Sequence, residues 1–123
     1  MKLTPVMVVE EIEKSLPFWV DRMGFAKTAE VPEGDRLGFV ILARDGAELM
    51  LQSLASSEKD EPQFAGINRT ALFIEVEDFD DIRKRLDDYP IVMKERNTFY
   101  GMREIGVFEP NGNTVVFAAR LPS

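Results

Sequence analysis

Histidine and cysteine are both absent from the 123-residue chain. Without imidazole the chain lacks the usual general base at neutral pH and the commonest transition-metal ligand. Ser-His-Asp triads and His-containing iron sites are therefore excluded. Without thiols there is no disulfide framework, no thiolate nucleophile and no zinc–thiolate site. No apolar run approaches the roughly 20 residues of a membrane-spanning helix. The segment from Met1 to Ser15 lacks the apolar stretch and small-residue cleavage site of a secretory signal. These absences predict a cytoplasmic protein with no membrane partner.

Basic clusters are missing too. Lys and Arg number 15 against 22 Asp and Glu, a formal net charge of −7. Diffuse acidity with no local basic patch repels phosphate backbones, which argues against nucleic acid as a partner. It favours a cationic ligand only through long-range steering, which salt screens. What is present is the balance of a folded chain, with 45% hydrophobic and 30% charged residues. That length fits a single domain, residues 1–123.

Along the chain, residues 3–9 read as a strand, and Ile12, Leu16, Trp19 and Met23 recur at helical spacing before Gly24. Pro17 either kinks that helix or marks a later start with Ser15 as its N-cap. Strands follow at 26–31, 37–44 and 47–51, with a turn at 32–35 and Asp45-Gly46 as a hairpin signal. The second half repeats this order. A strand at 71–76 is followed by a helix marked by Phe79, Ile82 and Leu86, then strands at 91–94, 100–108 and 114–119. Val9-Glu10-Glu11-Ile12-Glu13 matches Val76-Glu77-Asp78-Phe79-Asp80 displaced by 67 residues, and Asp45-Gly46 matches Asn111-Gly112 displaced by 66. Two anchors at nearly one displacement predict an internal duplication. The expected class is α+β: two βαβββ modules, about 1–52 and 69–123, joined by a polar linker at 53–68 that reads as a loop.

Strand parity sorts the faces. Leu72, Ile74 and Val76 share one face of their strand, and Ala71, Phe73 and Glu75 the other. Leu49 and Leu51 likewise oppose Glu48, Met50 and Gln52. The apolar faces should pack under the helices, leaving curved sheets whose mixed faces line a cleft. Phe73 and Met50 offer an aromatic face and an adaptable thioether to a flat ligand, and Tyr100 offers a second ring. Glu48, Gln52 and Glu75 share faces with them, and a carboxylate there can neutralise a cation. Arg103 and Glu104 are adjacent on one strand, so only one of them faces the cleft. Glu75 and Glu104 would form an acid–base pair if their strands adjoin. Trp19 and Phe18 read as core, and Glu77, Asp78, Asp80 and Asp81 as carboxylates complementing a helix N-terminus.

Several segments together resemble the glyoxalase/bleomycin resistance/dioxygenase superfamily, also called vicinal oxygen chelate proteins. They are residues 5–9 leading into Ser15-Leu16-Pro17-Phe18-Trp19, then Met23-Gly24-Phe25, Tyr100-Gly101-Met102-Arg103-Glu104-Ile105 and Glu109-Pro110-Asn111-Gly112-Asn113. The last two are similar to the bleomycin-resistance branch. The resemblance implies paired βαβββ modules assembled as a homodimer. It also implies four cleft positions that hold metal in metal-dependent members, here Thr4, Met50, Ala71 and Val116. None of these is a His or Glu ligand, so the chain is expected to use no metal and no other cofactor. The resulting expectation is a metal-independent protein that sequesters a planar, cationic small molecule. The alternative is an enzyme of the same fold, a lyase or isomerase, working through carboxylates or an oxygen-only metal site.

Overall fold

A computed structural model describes residues 1–122. The chain divides into two compact units, Met1–Arg69 and Thr70–Ser123. In the first unit, β1 (Val6–Val9) is followed by a 3-10 turn (Ile12–Lys14) and a six-residue π-helix (Pro17–Arg22). Then come β2 (Ala26–Glu33), β3 (Arg36–Arg44), β4 (Ala47–Ser53), α1 (Leu54–Asp60) and a 3-10 turn (Pro62–Phe64). The second unit contains β5 (Ala71–Glu75), α2 (Phe79–Arg85), β6 (Met93–Asn97), β7 (Met102–Phe108) and β8 (Thr114–Arg120).

Each unit holds one four-stranded mixed sheet, ordered β1-β4-β3-β2 and β5-β8-β7-β6. The two orders are the same pattern: the first strand pairs in parallel with the last, and the rest form an antiparallel meander. This is the α+β architecture of tandem βαβββ units that the displaced sequence matches anticipate.

Local chemistry explains most boundaries. Asp45 and Gly46 both take positive φ, 50° and 85°, as a two-residue hairpin turn requires. Pro32 lies in β2, an edge strand, where its missing N–H removes no interior ladder bond. Asp78 caps α2 by accepting from the Asp81 N–H at 3.0 Å. The Glu109-Pro110-Asn111-Gly112-Asn113 segment folds into a turn whose two end residues are buried. Glu109 Oε1 accepts from the Asn113 backbone and side-chain amides at 3.0 and 2.9 Å, and Asn113 Oδ1 accepts from the Thr70 N–H at 2.8 Å. That turn joins the β7–β8 hairpin to the start of β5, which is a structural task.

The core of the first unit is built from Ile12, Trp19 and Met23 on the helical segment and Val40, Leu42 and Leu51 on the sheet, all fully buried. Trp19 packs edge-to-face against Phe18 and Phe25, at centroid distances of 5.0 and 5.1 Å. Burying each large apolar side chain stabilises the fold by about 1.5–3 kcal/mol. In the second unit Phe79 and Ile82 of α2, Val107, Val115 and Phe117 play the same part.

Several sequence expectations change. The helix expected over residues 12–23 is a 3-10 turn and then a π-helix, because Pro17 occupies its first position and the Met23 N–H reaches Phe18 O, five residues back. Its N-cap is Leu16, while the Ser15 carbonyl accepts from Phe18 and Trp19. The strand expected at 91–94 runs instead over Met93–Asn97, and the strand expected from Tyr100 starts at Met102. Gly101 (φ 82°) and the Thr98 Oγ1 bond from the Met102 N–H turn the chain there. Finally, residues 53–68 are not a plain loop: they contain α1 and a 3-10 turn, with Ser53 capping α1 through the Ser56 N–H at 3.1 Å.

Candidate functional site

The segment from Ser53 to Asn68 is tied down at both ends. Ser53 closes β4 and caps α1, and Asn68 bonds the free edge of β1, donating to Val6 O and accepting from the Val8 N–H. It acts as a strap. Between the strap and the sheet of the first unit lies a cavity of about 600 Å³. Its strand side is formed by Val6, Val8, Val31, Phe39, Met50 and Gln52. Its strap side is formed by Ser56, Ser57, Asp60, Glu61, Phe64 and Asn68.

Register explains the strand side. Val6 pairs with Met50, Val8 and Phe39 with Gln52, and Val31 with Phe39, so alternate residues of four strands share that face. Gln52 Nε2 donates to Ser56 Oγ at 3.3 Å, and Ser56 Oγ donates to Asp60 Oδ2 at 3.4 Å, a polar chain from β4 to the end of α1. Gly38 of β3 allows close approach there: a Cβ on it would lie 3.3 Å from Ser56 Cβ and 2.8 Å from Glu33 Cβ.

Of the residues singled out from sequence, Met50 and Gln52 line this cavity. Glu48 is one row further along the same face, where Lys2 Nζ (2.9 Å) and Thr4 Oγ1 (3.3 Å) engage it. The hydrogen bond from Lys2 holds the Glu48 carboxyl below the usual range, desolvation opposes this, and the Lys2 charge and Thr4 bond add to it. The remaining candidates belong to the second unit. Phe73 and Glu75 lie on one face of β5, with Phe73 opposite Val116 and 55% exposed. Glu104 is 1% exposed yet fully bonded, Oε1 accepting from Arg96 Nη2 at 3.1 Å and Oε2 from Tyr100 Oη at 2.5 Å. The bond to Glu104 raises the Tyr100 pKa, with desolvation and the Glu104 charge acting the same way.

Two expectations about this second group are corrected. Glu75 and Glu104 do not form a pair, because β8 lies between their strands: Ala118 is the register partner of both. Glu75 instead reaches Arg120 at 3.5 Å. Arg103 points to the helix side, stacked 4.5 Å from the Phe79 ring centroid and bonded to Glu95 at 2.9 Å. Glu104 is therefore the member of that dipeptide on the mixed face.

Sequence reading missed the strap residues and Arg96. The strap carries no hydrophobic period, so a seven-residue helix there left only its Ser53 cap as a signal. Arg96 sits on a strand whose register is shifted by an irregularity between Met93 and Arg96.

The chain belongs to the Glyoxalase/Bleomycin resistance protein/Dioxygenase superfamily, whose family model matches residues 3–117. Among solved structures it is similar to TioX from Micromonospora sp. ML1, with 17% identity, a TM-score of 0.79, and coverage of 98% of this chain and 100% of that one. It is also similar to TnmS3, an antibiotic binding protein from Streptomyces sp. CB03234 (21% identity, TM-score 0.71, coverage 98% and 96%). A third is lactoylglutathione lyase from Agrobacterium tumefaciens (14% identity, TM-score 0.77, coverage 96% and 92%). At these identities the likeness concerns the fold. No curated protein matches the chain significantly in sequence.

Metal-dependent members of this fold require a donor set that these residues do not supply. The four positions that the resemblance assigns to metal carry a hydroxyl already bonded to Glu48 (Thr4), a thioether (Met50) and two aliphatic side chains (Ala71, Val116). A hard cation needs several oxygen ligands, and softer metals prefer imidazole or thiolate. Among the described residues no three Asp or Glu side chains converge on one point. No helix among them is long and apolar enough to cross a membrane.

Proposed function

We propose that this protein is a metal-independent small-molecule binder that sequesters a planar compound, as proteins of the bleomycin-resistance type do. The observation that carries the reading is the strap-covered cavity, apolar on its strand side and polar on its strap side. Ligand cavities of about 300–1,000 Å³ with an apolar lining and a few placed polar groups have this character. The lining holds no Lys or Arg, and its one hydroxyl–carboxylate contact, from Ser56 Oγ to Asp60 Oδ2, is a long bond of 3.4 Å. The printed description of TnmS3 as an antibiotic binding protein agrees with such a role in this fold.

Binding is favoured over carboxylate catalysis because Glu104, the buried member of the Glu75–Glu104 pair considered for acid–base work, has both oxygens engaged by Arg96 and Tyr100. Phe73 and Tyr100, about half exposed, support a homodimer in which a second copy covers this face. On this reading the chain is one cytoplasmic domain. Calorimetry with a panel of planar heteroaromatic compounds, run on chelator-treated protein, tests the function. Micromolar heats that persist without metal are expected. Binding that appears only after adding a divalent metal would overturn the reading. Sedimentation equilibrium tests the dimer.

A further inference from the structure

The strap of the first unit has two unlike halves. In α1, Ser56 and Ser57 are buried, and Ser56 packs close to Gly38 of β3. Beyond the helix, every residue from 61 to 69 except Ala65 is solvent-exposed. This far half is tied to the sheet only at its end. The Phe64 and Ala65 N–H groups bond within their own turn, to Glu61 O and Pro62 O. The next backbone bond runs from the Asn68 N–H to Val8 O. Gly66 lies between these bonds with φ 139°, and nothing stands within 4 Å of where its Cβ would be. A glycine so placed is free to change its backbone angles, which suits a hinge.

Phe64 is out of place on this stretch. It lines the cavity and yet is 72% exposed, which puts its ring where the cavity opens to water. Phe39 lines the strand side of the same cavity. Among the described residues neither ring meets another aromatic ring. A large apolar side chain held in water beside an apolar floor gains by folding onto whatever fills the space between.

We propose that residues 62–67 are the lid of this cavity and that Phe64 is the residue by which the lid grips its ligand. The ring folds from water onto the outer face of a flat compound whose inner face rests on Phe39. This rests on the reading above that the cavity is the binding site. The moving part is short, because α1 stays packed on β3 and Asn68 stays clamped to β1. The lid governs release more than entry: an exposed Phe64 leaves the way in clear, and a closed one must lift before the compound can leave.

Two neutral flat probes test this on the full chain, 9-anthracenemethanol and phenazine. Stopped-flow fluorescence with 9-anthracenemethanol follows entry and release. Phe64→Ala is expected to speed release about tenfold or more, the effect of burying one phenyl ring, with the entry rate unchanged. Phe64→Trp should keep release slow. Hydrogen exchange at the Gly66 and Ile67 amides should slow when the probe is bound. The melting temperature of the unliganded protein should be equal in both variants and the unmodified chain, since an exposed side chain has little packing to lose. A lower melting temperature in Phe64→Ala would assign the residue a structural role and overturn the proposal. Unchanged release from Phe64→Ala, or unchanged exchange at residues 66 and 67, overturns the lid and leaves the binder reading standing. Failure of both probes to bind the unmodified protein overturns both.

Discussion

Asn68 takes the place of a neighbouring strand beside Val8. Its Oδ1 accepts from the Val8 N–H at 2.7 Å, and the Val8 carbonyl in turn accepts from the Asn68 N–H at 3.3 Å. The side-chain amide also donates to Val6 O at 3.3 Å. One residue thereby satisfies backbone groups on the open edge of β1 and fixes the far end of the strap. An unpaired buried donor is expensive, so the identity of this side chain matters to both jobs.

Asn68→Ala is therefore expected to lower stability by about 1–2 kcal/mol, the contribution of two ordinary hydrogen bonds. The same change should speed hydrogen exchange at the Val8 amide and loosen ligand binding. Exchange measured by NMR checks this, and an unchanged Val8 rate would remove the strap-anchor role.

Gly38→Ala tests the close approach of α1 to β3. The added methyl would stand 2.8 Å from Glu33 Cβ, nearer than packed carbons allow, and a tight 3.3 Å from Ser56 Cβ. Overpacking of this kind destabilises by about 1–3 kcal/mol. Denaturant unfolding gives the number, and affinity for a bound compound should fall with it because Ser56 lines the cavity.

Tyr100 gives a prediction at high pH. Its pKa is raised in the fold, chiefly by the bond to Glu104, so the neutral phenol is what the fold favours. A raised pKa contributes stability that is fully present below the unfolded tyrosine value of about 10 and is lost as pH climbs through the folded value. Absorbance titration near 295 nm should show one late-ionising tyrosine, and Tyr100→Phe should delete that late step. It should also leave a buried Glu104 oxygen without its donor and lower the melting temperature at neutral pH.

Glu48 gives the opposite prediction at low pH. Its pKa is depressed, first by the Lys2 hydrogen bond, so its contribution is present above the unfolded value of about 4.3 and fades as pH falls through the folded value. Lys2→Ala should return the carboxyl toward its ordinary titration, followed by carbon-13 NMR. High salt should shrink the difference, since Lys2 is largely solvent-exposed.

The duplicated framework was readable because its determinants are local and periodic. Leu49 and Leu51 alternate with Met50 and Gln52, and Asp45-Gly46 carries the conformations a tight hairpin needs. The pairing of strands distant in sequence was not readable. Whether Glu75 and Glu104 touch depends on β8 passing between them, a non-local fact that no residue near either one encodes. The cavity was half legible. Parity placed Met50 and Gln52 on the open face, but its other wall is a seven-residue helix with no apolar stripe, held by caps at its ends.

From Leu54 onward the strap contributes no strand to either sheet ladder. Apart from Asn68, the cavity-lining residues of this stretch belong to no strand ladder. Selection, or a protein engineer, can therefore rewrite ligand preference at Ser57, Asp60, Glu61 or Phe64 while the two sheets go on folding as before. A scaffold whose recognition wall is separable from its folding instructions can diversify quickly.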